Sequence, residues 1–110
     1  MKNFLILYHS PASAMEMMAK VTPEQREAGM KVWMDWKDAL GDKLIEMGSP
    51  LMPGHEMTTD KTLSTSNSEI SGYSIITAED INHAKELLKG HPHFGWAEGC
   101  KIEIHEFAEM

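Results

Sequence analysis

The chain contains very little cysteine or arginine and no long apolar run, and each shortage excludes a class of protein. Its single cysteine, Cys100, cannot form a disulfide within the chain, which argues against a disulfide-stabilised secreted domain. Arg26 is the only arginine, and 10 basic against 17 acidic residues give a formal charge of -7. We therefore expect no basic surface that could bind the phosphates of a nucleic acid. No apolar run approaches the roughly 20 residues that span a bilayer. We therefore expect a cytoplasmic protein that binds neither nucleic acid nor membranes.

The length of the chain indicates a single domain, residues 1–110, which can bury roughly two thirds of the surface exposed by the unfolded chain. Such a chain needs no metal or cofactor to hold it together, and we predict none. The ten methionines are unusual, and because methionine is flexible and polarisable, we expect most of them to fill the core.

The first half of the chain predicts a strand followed by a long helix. The apolar run Lys2–Tyr8 has no polar face and is typical of a strand covered on both sides. Thr22, Pro23 and Gln25 form a capping box with proline in the first turn. The helix is predicted to continue to Gly48-Ser49-Pro50, with Gly41 as an alternative point at which it breaks or kinks. Its apolar stripe consists of Val32, Trp33, Trp36, Leu40 and Leu44, widened by Met30 and Met34.

The second half predicts an extended arm, a strand, a helix and a last strand. Pro53 and Gly54 make residues 51–62 an arm or edge strand, and the polar residues 64–68 indicate a loop. The run from Tyr73 to Thr77 predicts a strand, after which Thr77 caps a helix that Gly90 ends. Residues 100–107 alternate between apolar and polar side chains, as in a strand with one face on the core.

This order of elements predicts an α+β fold. Two β-α units whose strands belong to one sheet, with both helices on one face, are typical of a ferredoxin-like sandwich of the βαββαβ type. The other face of the sheet then lacks a cover of its own. The two-sided first strand and the Phe107 face of the last strand both indicate contact with a second copy, so we predict a homodimer.

The segment from Gly72 to Glu106 reads GYSIITAEDINHAKELLKGHPHFGWAEGCKIEIHE. A Gly-Tyr strand leads into a helix, a GHPH corner and a final strand, and the first half adds MKNFLILYH, TPEQ, WMDW and GSPLMPG in order. This succession of motifs, over nearly the whole chain, resembles the YCII-related (DGPF-type) proteins.

The resemblance implies a ferredoxin-like protomer that pairs sheet to sheet into a dimeric α+β barrel, with a cleft in each protomer. Relatives in that family include small-molecule enzymes, such as a dehydrochlorinase of a chlorinated hydroquinone, and a His–Asp pair is the proposed catalytic group of YCII-like members. This chain departs from the pattern twice. The tetrapeptide Asp60-Lys61-Thr62-Leu63 stands where the family has Asp-Gly-Pro-Phe, and residues 22–47 lack the family's helix histidine.

Three residues are candidates for acid–base catalysis. A histidine oriented by a carboxylate can act as a general base near neutral pH. His9 lies at the end of the first strand, where residues that line a cleft are usually found in such sheets. Asp60 stands at the position of the family's acidic residue. His93, or alternatively His55, could replace the missing helix histidine. Glu103 and His105 share one face of the last strand, and for them we expect a polar network at the dimer seam.

The heptapeptide Gly90–Trp96, GHPHFGW, permits a metal site, a catalytic loop or a stiff corner. No third ligand is fixed by spacing, so the corner is favoured over a metal site, with Gly90 left-handed and His91 at the helix carbonyl end. For a small organic ligand in a cleft between sheet and helices, the candidate residues are Trp33, Met34, Tyr73, His91 and Phe94. The alternative function is a non-enzymatic, dimeric protein-interaction module that exposes Met15, Met17 and Met18.

Overall fold

In the residues that it describes, the structure is an α+β fold with two helices and a four-stranded antiparallel sheet. The computed structural model describes residues 1–11, 19–95 and 99–109, so Met15, Met17, Met18 and Trp96 lie outside the described residues. The strands are β1 (Lys2–His9), β2 (Leu44–Pro50), β3 (His55–Met57), β4 (Leu63–Thr65), β5 (Ile70–Ala78) and β6 (Lys101–Glu106). The helices are α1 (Pro23–Leu40) and α2 (Ile81–Leu88), and short 3-10 turns span Gly41–Lys43 and Pro92–Gly95. In the described part of the chain, neither helix is long and apolar enough to cross a membrane.

The main sheet has the strand order β2-β5-β1-β6, and its neighbouring strands are antiparallel. The central strand β1 pairs with β5 over its whole length and with β6 from Phe4 to His9. Near the end of β1 the pairing with β5 shifts, because Tyr8 pairs with Gly72 whereas His9 pairs with Ile70. One additional residue of β5 is therefore accommodated beside His9, as in a β-bulge.

One face of the sheet packs against the helices and forms the core. Because side chains alternate along a strand, every second residue of β1 and β5 points to this face. The buried apolar residues of the core are Phe4, Ile6, Tyr8, Trp36, Leu40, Ile76, Ala78, Ala84 and Leu88. The half-buried Ile102 and Ile104 of β6 pack against them, which confirms the predicted orientation of the last strand.

Among the described residues, none of the helix side chains of this core packs on the opposite face of the sheet, which we call the open face. Leu5 and Leu7 of β1 and Ile75 of β5 lie at its centre and are only half-buried. Polar side chains of β6 surround them, since Glu103 pairs with Leu7 and His105 pairs with Leu5. The central strand thus has a fully buried side and a half-buried apolar side.

The first helix is shorter than the sequence predicts. Its start is confirmed: the Thr22 hydroxyl accepts from the amide of Gln25, and the Gln25 side chain accepts from the amide of Thr22. The predicted continuation to Gly48 is wrong, because the helix ends at Leu40 and residues 44–50 form strand β2. Gly41 has a positive φ of 58°, which stops the helical path and turns the chain towards the sheet.

Residues 51–62, predicted to be an arm or an edge strand, include the short strand β3, whereas the predicted loop at residues 64–68 and the predicted second helix cap need correction. The arm and the polar loop together contain a separate two-stranded hairpin, β3–β4. Thr77 does not cap the second helix, because β5 extends to Ala78; the Asp80 side chain caps it by accepting from the amide of His83. Gly90 is not among the described residues with positive φ, so its predicted left-handed conformation is wrong.

The prediction that most methionines fill the core is wrong for the described residues. Met1, Met30, Met34, Met52 and Met57 are all exposed. Val32, predicted to lie in the buried stripe of the first helix, is exposed as well. The helix buries only the narrower stripe of Trp36 and Leu40, with Trp33 half-buried beside it.

Gly48 is a position where only glycine fits, and we expect the substitution Gly48→Ala to destabilise the fold. Its φ is +80°, and a Cβ would lie 1.7 Å from the Tyr73 carbonyl oxygen. Strand β2 would have to separate locally from β5, so the free energy of unfolding should fall by about 2 kcal/mol or more in urea titrations. Gly29→Ala is the matched control, because this exposed helix position has nothing within 4 Å and should gain about 0.5–1 kcal/mol. Equal effects of the two changes would contradict the strain at Gly48.

Candidate functional site

The GHPH corner brings two imidazoles into the interior at the end of β1. His91 precedes the 3-10 turn Pro92–Gly95 and His93 lies inside it, and their exposed fractions are only 2% and 3%. The backbone turn is held by the amide of His91, which donates to the Leu88 carbonyl, and by the amide of Phe94, which donates to the His91 carbonyl. The corner therefore places both rings against β1 and does not present them to solvent.

A chain of hydrogen bonds crosses the core from this corner to β2. The Ser74 hydroxyl donates to the Met47 carbonyl at 2.6 Å, so Ser74 Oγ accepts the Tyr8 hydroxyl hydrogen at 2.6 Å. Tyr8 Oη then accepts from His91 Nε2–H at 3.0 Å. This direction leaves His91 Nδ1 unprotonated, and it accepts the backbone N–H of His93 at 2.9 Å. The bonds are mutually consistent only with a neutral His91.

Aromatic rings enclose the His91 imidazole. The centroids of Trp36, Trp33 and Tyr8 lie 4.3, 4.6 and 4.9 Å from the centroid of His91. Because this surrounding is apolar, burial, together with a smaller contribution from the neighbouring His93, lowers the pKa of His91 to about 3. Burial also raises the pKa of Tyr8 to about 12, against the opposing hydrogen bond with Ser74. His91 and Tyr8 are therefore both neutral at physiological pH.

The second imidazole, His93, contacts the backbone at the end of β1. Its Nε2–H donates to the His9 carbonyl at 2.9 Å, and its ring lies 5.1 Å from the ring of Tyr8 on the helix side of the sheet. Burial lowers the pKa of His93, while backbone groups of His9 and Lys101 act in the opposite direction. His93 was predicted to be catalytic, and the structure gives its ring a backbone partner within the protein.

A second cluster of titratable groups lies on the open face, where Glu103 stands between two histidines. His9 Nε2 is 3.5 Å from Glu103 Oε1, which is an ion-pair distance and too long for a good hydrogen bond. His105 Nε2 hydrogen-bonds the other oxygen, Oε2. His9 Nε2 is shielded from solvent and has no hydrogen-bond partner among the described residues. We call His9, Glu103 and His105 the open-face cluster.

The open-face cluster has the chemistry of an oriented acid–base pair. The hydrogen bond with His105 lowers the pKa of Glu103, and the electrostatic influence of His105, His9 and Lys101 acts in the same direction. A carboxylate held ionised beside one ring nitrogen favours the tautomer with hydrogen on that nitrogen. The other ring nitrogen of His9 is then left to accept a proton, and Glu103 stabilises the imidazolium that forms.

The remaining catalytic candidate is Asp60, whose hydrogen bonds lie within its own hairpin and involve no described histidine. Its carboxylate accepts from the Thr58 hydroxyl and from the Thr62 amide at 2.9 Å, inside the turn of the β3–β4 hairpin. These hydrogen bonds lower its pKa, although the side chain is fully exposed. Lys61 next to it has a positive φ of 70°, as a tight turn requires. Asp60 thus stabilises a turn, and its catalytic role stays a prediction.

The five predicted ligand-binding residues do not line one pocket. Trp33 and His91 pack together on the helix side, whereas Tyr73 alternates with Ser74 and therefore faces the open side, where its hydroxyl donates to Glu46 at 2.7 Å. Met34 and Phe94 are 39% and 49% exposed. Of the five, only Tyr73 shares a face with the open-face cluster.

Two surface cavities are lined by described residues. One, of about 730 Å³, follows α1 and includes Met30 and Met34; the other, of about 260 Å³, lies between α2 and β6 and includes Phe94, Ile102 and Ile104. Neither is lined by a described histidine. Among the described residues there is also no group of three side chains placed to hold a metal ion. Neither of these two cavities includes a residue of the open-face cluster.

The pairing of His9 with Glu103 was not predicted from the sequence. The alternation of the last strand places Glu103 and His105 on one face, but only the register of β1 with β6 brings Glu103 next to His9. A scan against models of known protein families gives no match, and no curated protein matches the chain either.

The neutral, buried His91 should make the fold less stable as the pH falls below about 6.5. The unfolded imidazole, with a pKa near 6.5, binds a proton there, whereas folded His91 stays neutral down to a pKa of about 3. Between these values the unfolded state binds more protons, so the free energy of unfolding falls by up to ~1.4 kcal/mol per pH unit for this group. His93, with a pKa also lowered by burial, adds to the slope.

The variant His91→Asn should have a smaller slope between about pH 5 and 6.5, measured by urea unfolding at a series of pH values. Asparagine keeps an acceptor for the His93 amide but does not titrate. His55→Asn, at an exposed position on β3, is the control and should keep the wild-type profile. A His91→Asn slope equal to that of the wild type would show that His91 does not cause the acid sensitivity.

Proposed function

We propose that the protein is a YCII-related homodimer that binds a small organic molecule and exchanges a proton with it through His9 and Glu103. The proposed protomer is ferredoxin-like. Read from the other edge, the sheet order is β6-β1-β5-β2, with α1 after β1 and α2 after β5, and the β3–β4 hairpin is then an insertion before β5. This arrangement is compatible with a βαββαβ unit.

The proposed dimer is a dimeric α+β barrel in which two open faces meet. Leu5, Leu7 and Ile75 support it, because a half-buried apolar centre on a sheet face gains free energy when a second sheet covers it. The resemblance of residues 72–106 to YCII-related proteins supports the same assembly. Covering the open face would also place a wall from the partner copy over the open-face cluster, so the site would be completed by that copy.

The observation that carries the proposed chemistry is the position of His9 beside Glu103. His9 acts as the base, Glu103 stabilises the protonated ring, and His105 keeps Glu103 ionised by donating to its second oxygen. His9 is retained from the predicted set, and Glu103 takes the part first given to Asp60.

The surroundings of the cluster define the proposed ligand class. Leu7 pairs with both Tyr73 and Glu103, so an apolar and an aromatic side chain lie in the same row as the carboxylate. Such a surface suits a small apolar molecule that carries one acidic proton, for example a phenol or a carbonyl compound with an acidic C–H. Proton transfer to His9 is then the only bond change the protein itself must perform.

One observation favours the alternative, a protein-interaction module. The exposed side of α1 carries Met30, Val32 and Met34, with exposed fractions of 57%, 48% and 39%. Flexible methionines beside an open groove are typical of adaptable contacts with other proteins. This surface lies on the helix layer, on the other side of the molecule from the open face, so the two functions can be tested separately.

The proposed dimer should dissociate when a charge is introduced at the centre of the open face. In a single protomer Leu5 is half-buried, so Leu5→Lys can extend its ammonium to water, whereas a dimer would bury the charge. Sedimentation velocity at micromolar concentration should show a dimer for the wild type and a monomer for Leu5→Lys. Val32→Lys, on the exposed side of α1, is the matched control and should remain a dimer. A monomeric wild type, or a dimeric Leu5→Lys with native circular dichroism, would contradict the assembly.

Small phenols and carbonyl compounds should bind at the open-face cluster. In amide NMR spectra of the labelled protein, a mixture of such compounds should shift the resonances of Leu7, His9 and Glu103. Glu103→Gln removes the charge that stabilises protonated His9, so it should weaken the affinity for acidic phenols several-fold more than for their methyl ethers. Asp60→Asn is the control and should bind as the wild type does. Shifts confined to the exposed side of α1 would favour the interaction module instead.

A further inference from the structure

The contact between His9 and Glu103 crosses from β1 to β6 near the end of their pairing. His9 pairs with Lys101, and this is the last pair of the β1–β6 ladder. Glu103 lies two residues further along β6, opposite Leu7, so its carboxylate reaches His9 diagonally. Such diagonal neighbours are in reach only while the two strands stay paired. Fraying of the last pair would therefore separate the base from its carboxylate.

The buried imidazole of His93 lies at this end of the ladder. Its Nε2–H donates to the carbonyl of His9, one partner of the last pair. The backbone of Lys101, the other partner, acts to raise the pKa of the same imidazole. With an exposed fraction of 3%, the ring is excluded from solvent, where water would compete for these backbone groups.

His93 is itself held in place by the rest of the corner. Its amide donates to His91 Nδ1, and His91 is fixed by Tyr8 and by the rings of Trp33 and Trp36. The position of the His93 ring is therefore determined by the packed core and not by the ladder that it contacts.

On the β5 side the end of β1 is held by different groups. The amide of Ser10 donates to the Glu69 carbonyl at 2.8 Å, and the hydroxyls of Ser10 and Ser71 are hydrogen-bonded at 2.7 Å. These bonds fix the residue after His9 relative to β5. They do not fix the distance from His9 to β6, which is the distance on which the contact with Glu103 depends.

We propose that His93 is a positioning residue, which closes the His9–Lys101 end of the β1–β6 ladder and thereby keeps the His9 side chain beside Glu103. The inference rests on the proposed function, because it gives a role to His93 in the same acid–base site. His93 lies on the helix side of the sheet and the side chain of His9 points to the open face, so His93 acts through the backbone of β1 and touches no ligand.

The test measures how strongly Glu103 influences the ring of His9, without any ligand. Imidazole nitrogen chemical shifts of His9 and His105 are recorded at pH 7 with and without Glu103→Gln, in the wild-type, His93→Leu and His93→Gln backgrounds. Leucine fills the space but cannot donate, whereas glutamine retains an N–H donor at a similar reach. His105 is the internal control, because its contact with Glu103 lies within β6 and does not require pairing with β1.

We expect Glu103→Gln to shift the His9 nitrogens in the wild type and in His93→Gln, and this response to be lost in His93→Leu. The response of His105 should persist in all three backgrounds. A merely structural role of His93 would reduce the stability of His93→Leu and leave the response of His9 intact, which would overturn the proposal. A lost response in His93→Gln as well would also overturn it, since the donor would then not be the cause.

A second variant keeps the test decisive if His93→Leu does not fold. In His93→Asn the side chain is polar but stops short of the His9 carbonyl, so the response of His9 should again be lost, and a retained response would overturn the proposal. Because the readout is the coupling of two side chains in the free protein, it is independent of whether small molecules bind. Failure of the proposed function would appear in the ligand titrations and not in this measurement.

Discussion

The hydrogen bond between His91 and Tyr8 is the interaction on which the rest of the structure depends. Both groups lie in an apolar layer, where an unpaired donor or acceptor costs about 1–3 kcal/mol. A chain of hydrogen bonds runs from the His93 amide to the Met47 carbonyl, and each group in it has a hydrogen-bond partner only if its neighbours keep their positions. One polar path thus fixes the corner after α2 relative to β1, β5 and β2. It specifies the register of the sheet in a way that the surrounding apolar contacts alone would not.

The two sides of the sheet differ in the state that they impose on histidine. On the helix side, aromatic packing excludes water, so His91 stays neutral and serves as a fixed donor and acceptor. On the open face, His9 and His105 share an ionised carboxylate, and charge there is stabilised by its partner. Acid–base chemistry requires a ring that can change its charge near neutral pH. Buried, neutral His91 does not meet that requirement, although the GHPH motif is the more distinctive sequence, whereas His9 and His105 lie beside a carboxylate.

Local sequence patterns predicted the α+β class and the start of α1, because capping boxes and strand alternation are encoded within a few residues. They failed where tertiary contacts decide. Leu44 continues the helical stripe of α1, yet Gly41 turns the chain and Leu44 packs on the core from strand β2. The site was partly predictable in the same sense: His9 was identified from its place at a strand end. Its partner Glu103 was not, because their contact depends on a strand register between residues about 90 positions apart, which no short motif contains.

The exposed methionines of α1 also show that a local sequence pattern does not predict tertiary packing. A helical stripe predicts which side chains share a face, but not how wide a strip the sheet covers. Here the sheet and the GHPH corner both lie against the same side of α1, and the rings of Trp33 and Trp36 fill the space between them. Trp33, Trp36 and Leu40 occupy the covered side of this helix, where only Trp36 and Leu40 are buried, and Met30 and Met34 are left at the surface. The packing that buries the two imidazoles therefore also accounts for the apolar side of α1 that remains exposed.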